Sequence, residues 1–259
     1  MTIDSQTGYV DLQVDERGIA TITFFHPAHN SLPGEILASL ADTITSTGAD
    51  ARVKVIILKS GGDRTFCAGA SFDELIAIEN EQEGYAFFSG FAKVINACRT
   101  CKKLIIGRVQ GKAIGGGVGV AASSDYCFAT KYASVKLSEL AIGIGPFVVG
   151  PAIERKIGLS AFTRLSLNPK DFESADWAQE QGLYQHVYED AEAMDAAIEA
   201  FASNLSTYNP EALDALKSSL WRGTDSWGEL LDERAQVSGR LVLSEFSRNA
   251  INAFKKGAR

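Results

Sequence analysis

The sequence predicts an α/β protein, and three observations support that class. Short apolar runs typical of buried strands, VKVIILKS at residues 53–60 and KLIIGRVQ at residues 103–110, recur in the first half of the chain. Segments with helical periodicity separate these runs, and this alternation is typical of layered α/β folds. From Gly150 onward helical patterns dominate, which predicts a helical region at the carboxyl end.

The first elements are a hairpin and a helix. Apolar and polar residues alternate on both sides of the turn sequence DERG, which predicts two strands over residues 9–25. A helical pattern follows, with Ser31 expected as its cap and Pro33 in its first turn.

The middle of the chain alternates between helices and short strands. Ser71 and Glu74 have the spacing of a capping box at the start of SFDELIAI. A longer amphipathic helix is predicted over about residues 84–102. The segments DYCFAT (residues 125–130) and ASVKL (residues 133–137) are predicted short strands.

Composition excludes several classes of partner. The 259-residue chain has a net charge of −7, which argues against nucleic acid or an anionic membrane as the main partner. No signal-like segment and no bilayer-length apolar run occurs, so we expect a cytoplasmic protein without a membrane partner. Cys98 and Cys101 form one C-x-x-C, but no histidine lies at ligand spacing from them, so we expect no metal.

The glycine-rich stretch GKAIGGGVGVAASSD, residues 111–125, has three interpretations. A phosphate-binding loop is rejected, because Gly117 and Val118 stand where that motif needs lysine and then serine or threonine. A dinucleotide fingerprint fits Gly117 to Ala122, and Glu139 follows at about the spacing of a ribose-binding acid. The residues GKAIG separate this fingerprint from the preceding strand, so an NAD-binding dehydrogenase is retained only as an alternative.

The third interpretation joins this stretch with FCAGASFDEL, residues 66–75. Both are glycine- and alanine-rich turns between a buried strand and a helix, where unpaired backbone N–H groups favour negative charge. Two such groups directed at one carbonyl oxygen form an oxyanion hole, and small residues let a substrate approach the backbone. We therefore favour an oxyanion hole.

Three ordered motifs then resemble the crotonase superfamily, the enoyl-CoA hydratase/isomerase family: TFCAGASFDEL (65–75), QGKAIGGGVGVAASSDYCFAT (110–130) and SVKLSELAIGIGP (134–146). The resemblance runs from about residue 9 to the end of the chain. It implies an α/β crotonase-like spiral of repeated ββα units with a helical C-terminal oligomerisation region.

The resemblance also implies an organisation and an assembly. Residues 1–200 would form the catalytic ββα core, and residues 201–259 the helical region that makes subunit contacts. We expect a homotrimer or a dimer of trimers. The implied substrate is an acyl-CoA thioester, in which coenzyme A is part of the substrate and no separate cofactor is needed.

Three positions match the catalytic groups of that family. Ala70 and Gly116 match the two backbone donors that hold a thioester enolate, and Glu139 matches a catalytic glutamate. Positions that match, or lie beside, substrate contacts of the family are Ala28, His29, Ala68, Ser71, Phe72, Asp73, Gly115, Gly119, Pro146, Phe147 and Lys255.

The chain departs from the family's hydratases at Gly119, where those enzymes carry a second glutamate. Two carboxylates orient and deprotonate a water, whereas one is enough to move a proton from the α-carbon to the γ-carbon, as the family's Δ3-Δ2 isomerases do. Gly119 also predicts free space in the pocket, and Asp73 and Glu74 are candidate replacement acids.

The single glutamate favours double-bond isomerisation or another one-acid reaction. The alternatives are an enoyl-CoA hydratase with a substitute acid, a non-catalytic acyl-CoA-binding homologue and the NAD-binding dehydrogenase.

Overall fold

The structure is a computed structural model that describes residues 8–257, with side chains described for residues 8–253. The strands in that range, in chain order, are β1 (Tyr9–Val14), β2 (Ile19–Phe25), β3 (Ser31–Leu32), β4 (Val55–Ser60), β5 (Thr65–Cys67), β6 (Gly69–Ala70), β7 (Leu104–Val109), β8 (Lys112–Ile114), β9 (Tyr126–Thr130), β10 (Val135–Lys136) and β11 (His186–Tyr188).

Ten α-helices lie between and after these strands in the described range. They are α1 (Gly34–Ala49), α2 (Phe72–Ala77), α3 (Glu81–Thr100), α4 (Gly116–Ser123), α5 (Gly150–Leu167), α6 (Ala175–Glu180), α7 (Ala191–Ser206), α8 (Pro210–Leu220), α9 (Trp227–Leu241) and α10 (Glu245–Gly257). A 3₁₀ helix spans Glu139–Ile142. None of the helices described is long and apolar enough to cross a membrane.

The strands form one large and two small sheets. The large sheet has the order β1-β2-β4-β7-β9-β11, in which only the β1–β2 hairpin is antiparallel. The small sheets have the orders β10-β8-β5 and β3-β6. Four times in succession the chain gives one strand to the large sheet, then one strand to a small sheet, or after β4 one strand to each small sheet, and then helical structure. This pattern is the predicted spiral of ββα units, and the fold-class prediction is confirmed.

The start of α1 differs from the sequence prediction. Ser31 does not cap the helix, because Ser31 and Leu32 pair in parallel with Gly69 and Ala70, and the cap position falls on Pro33. Pro33 offers no side-chain oxygen to the first turn. The carboxylate of Glu74 caps the first turn of α1 instead, because it accepts a hydrogen bond from the backbone N–H of Gly34 at 2.9 Å.

The helical C-terminal region packs partly on the core of its own chain. Trp221 and Trp227 are buried in the main apolar cluster. α9 lies so close to α3 that a Cβ atom on Gly84 would stand 2.6 Å from the carbonyl oxygen of Gly239. Phe246 on α10 is 66% exposed. The boundary at residue 200 and the role of this region in oligomerisation stay predictions.

A buried ion pair ties α8 to the end of α4. Asp125 lies two residues after α4, and its carboxylate accepts hydrogen bonds from Lys217 Nζ at 2.6 Å and Trp221 Nε1 at 2.7 Å. The backbone N–H of Ile105 donates a third bond at 2.7 Å. The side chains of Asp125 and Lys217 are 4% and 2% exposed, so the pair is fully withdrawn from water.

Candidate active site

A cavity of about 530 Å³ lies where the two glycine-rich turns meet the 3₁₀ helix. The predicted site residues that line it are Ala68, Ala70, Phe72, Gly115, Gly116, Glu139, Pro146 and Phe147. The predicted residues outside its lining are Ala28, His29, Ser71, Asp73 and Gly119. Lys255 lies outside the residues whose side chains are described. The structure therefore brings both turns and the candidate acid to one cavity.

The two turns are in close contact. Gly69 has a positive φ of 93°, and a Cβ atom there would stand 3.1 Å from the carbonyl oxygen of Ile114 and 3.7 Å from the nitrogen of Gly116. Gly116 is the first residue of α4, so its N–H belongs to the helix end that lacks intrahelical acceptors. Ala70 follows Gly69 in β6 and lines the cavity. Unpaired N–H groups at a helix start favour negative charge, so this contact is compatible with the predicted oxyanion hole, which stays a prediction.

Glu139 begins the 3₁₀ helix and reaches the same place. A Cβ atom on Gly115 would lie 3.1 Å from Glu139 Oε1, and Gly115 has a positive φ of 53°, so glycine lets the carboxyl group lie close to the turn without strain. The other oxygen, Oε2, is buried and has no hydrogen-bond partner among the described residues. Burial in apolar surroundings raises the pKa of Glu139 to about 7. This carboxyl group can therefore both accept and release a proton near neutral pH.

The free space predicted at Gly119 is absent. A Cβ atom on Gly119 would stand 2.5 Å from Val149 Cγ1 and 2.8 Å from Val149 Cβ, so the valine already fills that volume. Gly119 is buried behind the cavity, whereas Val149 lines it. The prediction of a wider pocket at Gly119 is wrong, because a side chain distant in sequence closes the gap.

Neither candidate replacement acid lines the cavity. Asp73 is exposed in the first turn of α2. The two oxygens of the Glu74 carboxylate accept hydrogen bonds from the backbone N–H of Gly34, at 2.9 and 3.2 Å. Ser71 caps α2 as predicted, because its Oγ accepts a hydrogen bond from the Glu74 N–H at 3.3 Å. Among the described residues that line the cavity, Glu139 is the one carboxylic acid.

The sequence analysis missed much of the cavity wall. Three phenylalanines of α3 line it, and so do Lys136 and Lys170. The aromatic residues were visible only as one face of an amphipathic helix, and that pattern does not separate a pocket wall from ordinary core. The phenylalanines of α3 that line the cavity are Phe87, Phe88 and Phe91.

The dinucleotide alternative lacks a suitable site. Gly117 and Gly119 lie inside α4, and a Cβ atom on Gly117 would stand 2.5 Å from the carbonyl oxygen of Cys67. No dinucleotide fits against backbone that is packed so closely. The thiol of Cys67 is itself buried, and burial raises its pKa to about 12, which keeps it protonated and unreactive. No group of metal-ligating side chains occurs among the described residues.

The chain is similar to known proteins over nearly its whole length. The sequence model of the family described as "Enoyl-CoA hydratase/isomerase" matches residues 15–256. A short-chain-enoyl-CoA hydratase of Clostridium acetobutylicum is 28% identical and covers 92% of this chain and 92% of its own length. A peroxisomal Δ(3,5)-Δ(2,4)-dienoyl-CoA isomerase of Arabidopsis thaliana is 24% identical, over 98% of this chain and 96% of its own.

A solved structure has the same fold. The crystal structure of an enoyl-CoA hydratase from Bacillus halodurans superimposes with a TM-score of 0.87 at 20% identity, and the match covers 95% of this chain and 99% of that one. The family match extends over the glycine-rich turns, Glu139 and the C-terminal helices. The chain belongs to the enoyl-CoA hydratase/isomerase family, the crotonase superfamily, whose members are enzymes that act on CoA thioesters.

Proposed function

We propose that this enzyme moves a carbon–carbon double bond within an enoyl-CoA, from the β,γ to the α,β position, with Glu139 as its single acid and base. The observation that carries the proposal is the filled volume at Gly119. The position where hydratases of the family hold a second glutamate has no side chain here, and Val149 occupies the space beside it.

This arrangement disfavours hydration. Adding water to a conjugated thioester needs a water molecule that is held and deprotonated next to the β-carbon, which requires a polar partner on that wall. Val149 presents methyl groups instead, and the nearby acids Asp73 and Glu74 lie outside the cavity lining. A bound water would keep only Glu139 as a carboxylate partner.

The proposed reaction needs one carboxylate and two backbone donors. The Glu139 carboxylate removes a proton from the α-carbon, and the electron pair of that C–H bond moves toward the thioester carbonyl, whose oxygen becomes an enolate. The N–H groups of Ala70 and Gly116 are the proposed donors to this oxygen. The Glu139 carboxylic acid then gives its proton to the γ-carbon, where the electron pair of the β,γ double bond forms the new C–H bond. The enolate oxygen re-forms the carbonyl as the double bond forms between the α- and β-carbons, and the carboxylate is restored.

The surroundings of Glu139 support both halves of that cycle. A carboxyl group with an ordinary pKa is a weak base and is nearly always ionised at neutral pH. Burial raises the pKa of Glu139 to about 7, so the protonated and ionised forms are close in free energy at that pH.

The test compares two reactions in three proteins. Wild type, Glu139→Gln and the control Asp73→Asn are assayed with trans-3-hexenoyl-CoA for isomerisation and trans-2-butenoyl-CoA for hydration. Asp73→Asn removes an exposed carboxylate close to the same turn but outside the cavity. We expect isomerisation without appreciable hydration in wild type and in Asp73→Asn, and neither reaction in Glu139→Gln.

Three other outcomes contradict the proposal. Rapid hydration by wild type would show that the enzyme is a hydratase. Glu139 alone would then have to hold and activate the attacking water. Tight binding of CoA thioesters without turnover of either substrate would identify a non-catalytic homologue. Full activity in Glu139→Gln would show that Glu139 is not the acid and base of the reaction.

A further inference from the structure

A group of cationic side chains stands at one side of the cavity and has no part in the proposed chemistry. Lys136 and Lys170 line the cavity. Lys136 Nζ lies 4.4 Å from the centre of the Phe172 ring, and Lys112 Nζ lies 5.0 Å from the same centre. We call Lys112, Lys136 and Lys170 the lysine cluster; cation–π contact with one ring holds two of its members together.

No ion pair neutralises the charge of this cluster within the described part of the chain. None of its ammonium groups has a carboxylate within 4.0 Å among the described residues. Asp171 is near enough to stabilise charged Lys136 but forms no ion pair with it. The neighbouring Glu173 is bound to Arg164 at 2.6 Å. Lys136 is half-buried, and burial together with the charge of Lys112 lowers its pKa.

Lys136 and Lys170 are separate from the reacting groups but line the same cavity, and Lys112 lies outside its lining. Lys136 on β10 pairs with Ile114 on β8, two residues before the oxyanion-hole candidate Gly116. Its charge is not among the influences on the pKa of Glu139, and Glu139 is not among the influences on the pKa of Lys136. A ligand held at Gly116 can therefore reach Lys136 with a second group, remote from the carbon atoms that react.

We propose that the lysine cluster is an anion subsite of the cavity, and that the acyl group of the substrate carries a carboxylate at its far end. A partly desolvated ammonium group without a carboxylate partner gains most from an anionic oxygen supplied by a ligand. The proposal rests on the acyl-CoA function proposed above, but not on the direction of that reaction. A phosphate of coenzyme A has the same anionic oxygen chemistry, so the test includes substrates that lack it.

The test measures binding of unreactive thioesters, so that catalysis has no influence on the result. Dissociation constants of glutaryl-CoA and valeryl-CoA are measured for wild type, Lys136→Met, Lys136→Arg and the control Lys93→Met. The N-acetylcysteamine thioesters of the same two acids, which have no phosphate, form the second arm. Lys93 is an exposed lysine of α3 outside the cavity lining, so its substitution makes the same charge change elsewhere.

We expect wild type and Lys93→Met to bind the glutaryl thioester more tightly than the valeryl thioester in both arms. Lys136→Met should weaken glutaryl binding by about 10-fold or more, because it removes one partner of a desolvated charge pair, and should leave valeryl binding unchanged. Lys136→Arg should keep most of the preference, since it keeps the charge.

Two results would overturn the subsite as proposed. If Lys136→Met weakens both CoA thioesters equally and neither N-acetylcysteamine thioester, the anion is a phosphate of coenzyme A. If Lys136→Met changes no dissociation constant, the cluster binds no part of the substrate. A wild type that prefers glutaryl thioesters but does not isomerise 3-enoyl-CoA would support the subsite and overturn the proposed function alone.

Discussion

Two carboxyl groups beside α4 are both withdrawn from solvent, yet their surroundings differ in every other respect. Asp125, after the end of the helix, accepts hydrogen bonds from Lys217, Trp221 and the Ile105 backbone. Glu139, beside the helix start, has a buried oxygen without any partner in the described structure. The first group meets donors at both of its oxygens, whereas one oxygen of the second meets none among the described residues.

The comparison indicates a structural role for Asp125 and a role in proton transfer for Glu139. Buried polar groups are normally hydrogen-bonded, because a group that loses its hydrogen bonds to water without new partners destabilises the folded state. Asp125 follows this rule and joins α8 to the core. Glu139 breaks it at a cavity wall, where a raised pKa suits proton transfer. Substitution of each acid should therefore damage a different property of the enzyme.

The largest expected effect is the loss of activity in Glu139→Gln. We expect kcat/KM for isomerisation of 3-hexenoyl-CoA to fall by about 10²–10⁴-fold, the usual contribution of a positioned general acid and base. The denaturant midpoint should not fall, since glutamine has the same shape and no charge to desolvate. Urea denaturation alongside the assay checks this. A variant that loses both activity and stability would contradict a purely chemical role of Glu139, in contrast to Asp125.

The next effect is the loss of stability in Asp125→Asn. This variant leaves the Lys217 ammonium, 2% exposed, without its carboxylate, and removal of one partner of a buried ion pair costs about 3–5 kcal/mol in the free energy of unfolding. Urea denaturation measures it. The double variant Asp125→Asn with Lys217→Met should recover part of the loss. An unchanged unfolding free energy in Asp125→Asn would show that the pair contributes nothing to stability.

A smaller effect tests the packing at Gly119. In Gly119→Ala the new methyl group would stand 2.5 Å from Val149 Cγ1, and such overpacking costs about 1–3 kcal/mol. Val149→Ala should relieve this cost, so a double-mutant cycle on urea midpoints should give a favourable coupling energy. Additive effects of the two substitutions would mean that Val149 does not fill the volume beside Gly119.

The remaining effect is a dependence of stability on pH. The pKa of Glu139 is about 7 in the folded enzyme and near 4.5 in the unfolded chain, so the unfolded chain releases this proton first as pH rises. Wild type should lose stability between about pH 4.5 and 7 relative to Glu139→Gln. We expect the Tm values of the two proteins to be close at pH 4.5 and that of Glu139→Gln to be higher at pH 8. Equal differences at both pH values would contradict a raised pKa.

The sequence predicts those parts of the site that local backbone chemistry determines. Residue types indicated the two glycine-rich turns, the resemblance to the crotonase superfamily implied Ala70, Gly116 and Glu139 as site residues, and the structure places these three at one cavity. The α/β alternation also follows from local periodicity. Ser31 shows the limit, since a two-residue parallel pairing with Gly69 and Ala70 overrides its tendency to cap a helix.

Contacts between distant segments are not predictable in this way. Val149 fills the volume at Gly119, and Phe172 holds Lys112 and Lys136, only because separate turns of the spiral meet there. The lysine cluster carried no sequence signal, because three lysines far apart in the chain look like ordinary surface residues. Glu74 likewise resembled a spare acid until its hydrogen bonds to Gly34 were seen.

The most direct test of the difference between the two acids is a titration of Glu139 itself. The enzyme is labelled with ¹³C at glutamate carboxyl carbons, and the signal missing from Glu139→Gln is followed by NMR between pH 4 and 9. We predict a midpoint at about pH 7, well above the other glutamates. A midpoint near 4.5 would mean a solvated carboxylate and would contradict the assignment of Glu139 as the unpaired acid of the site.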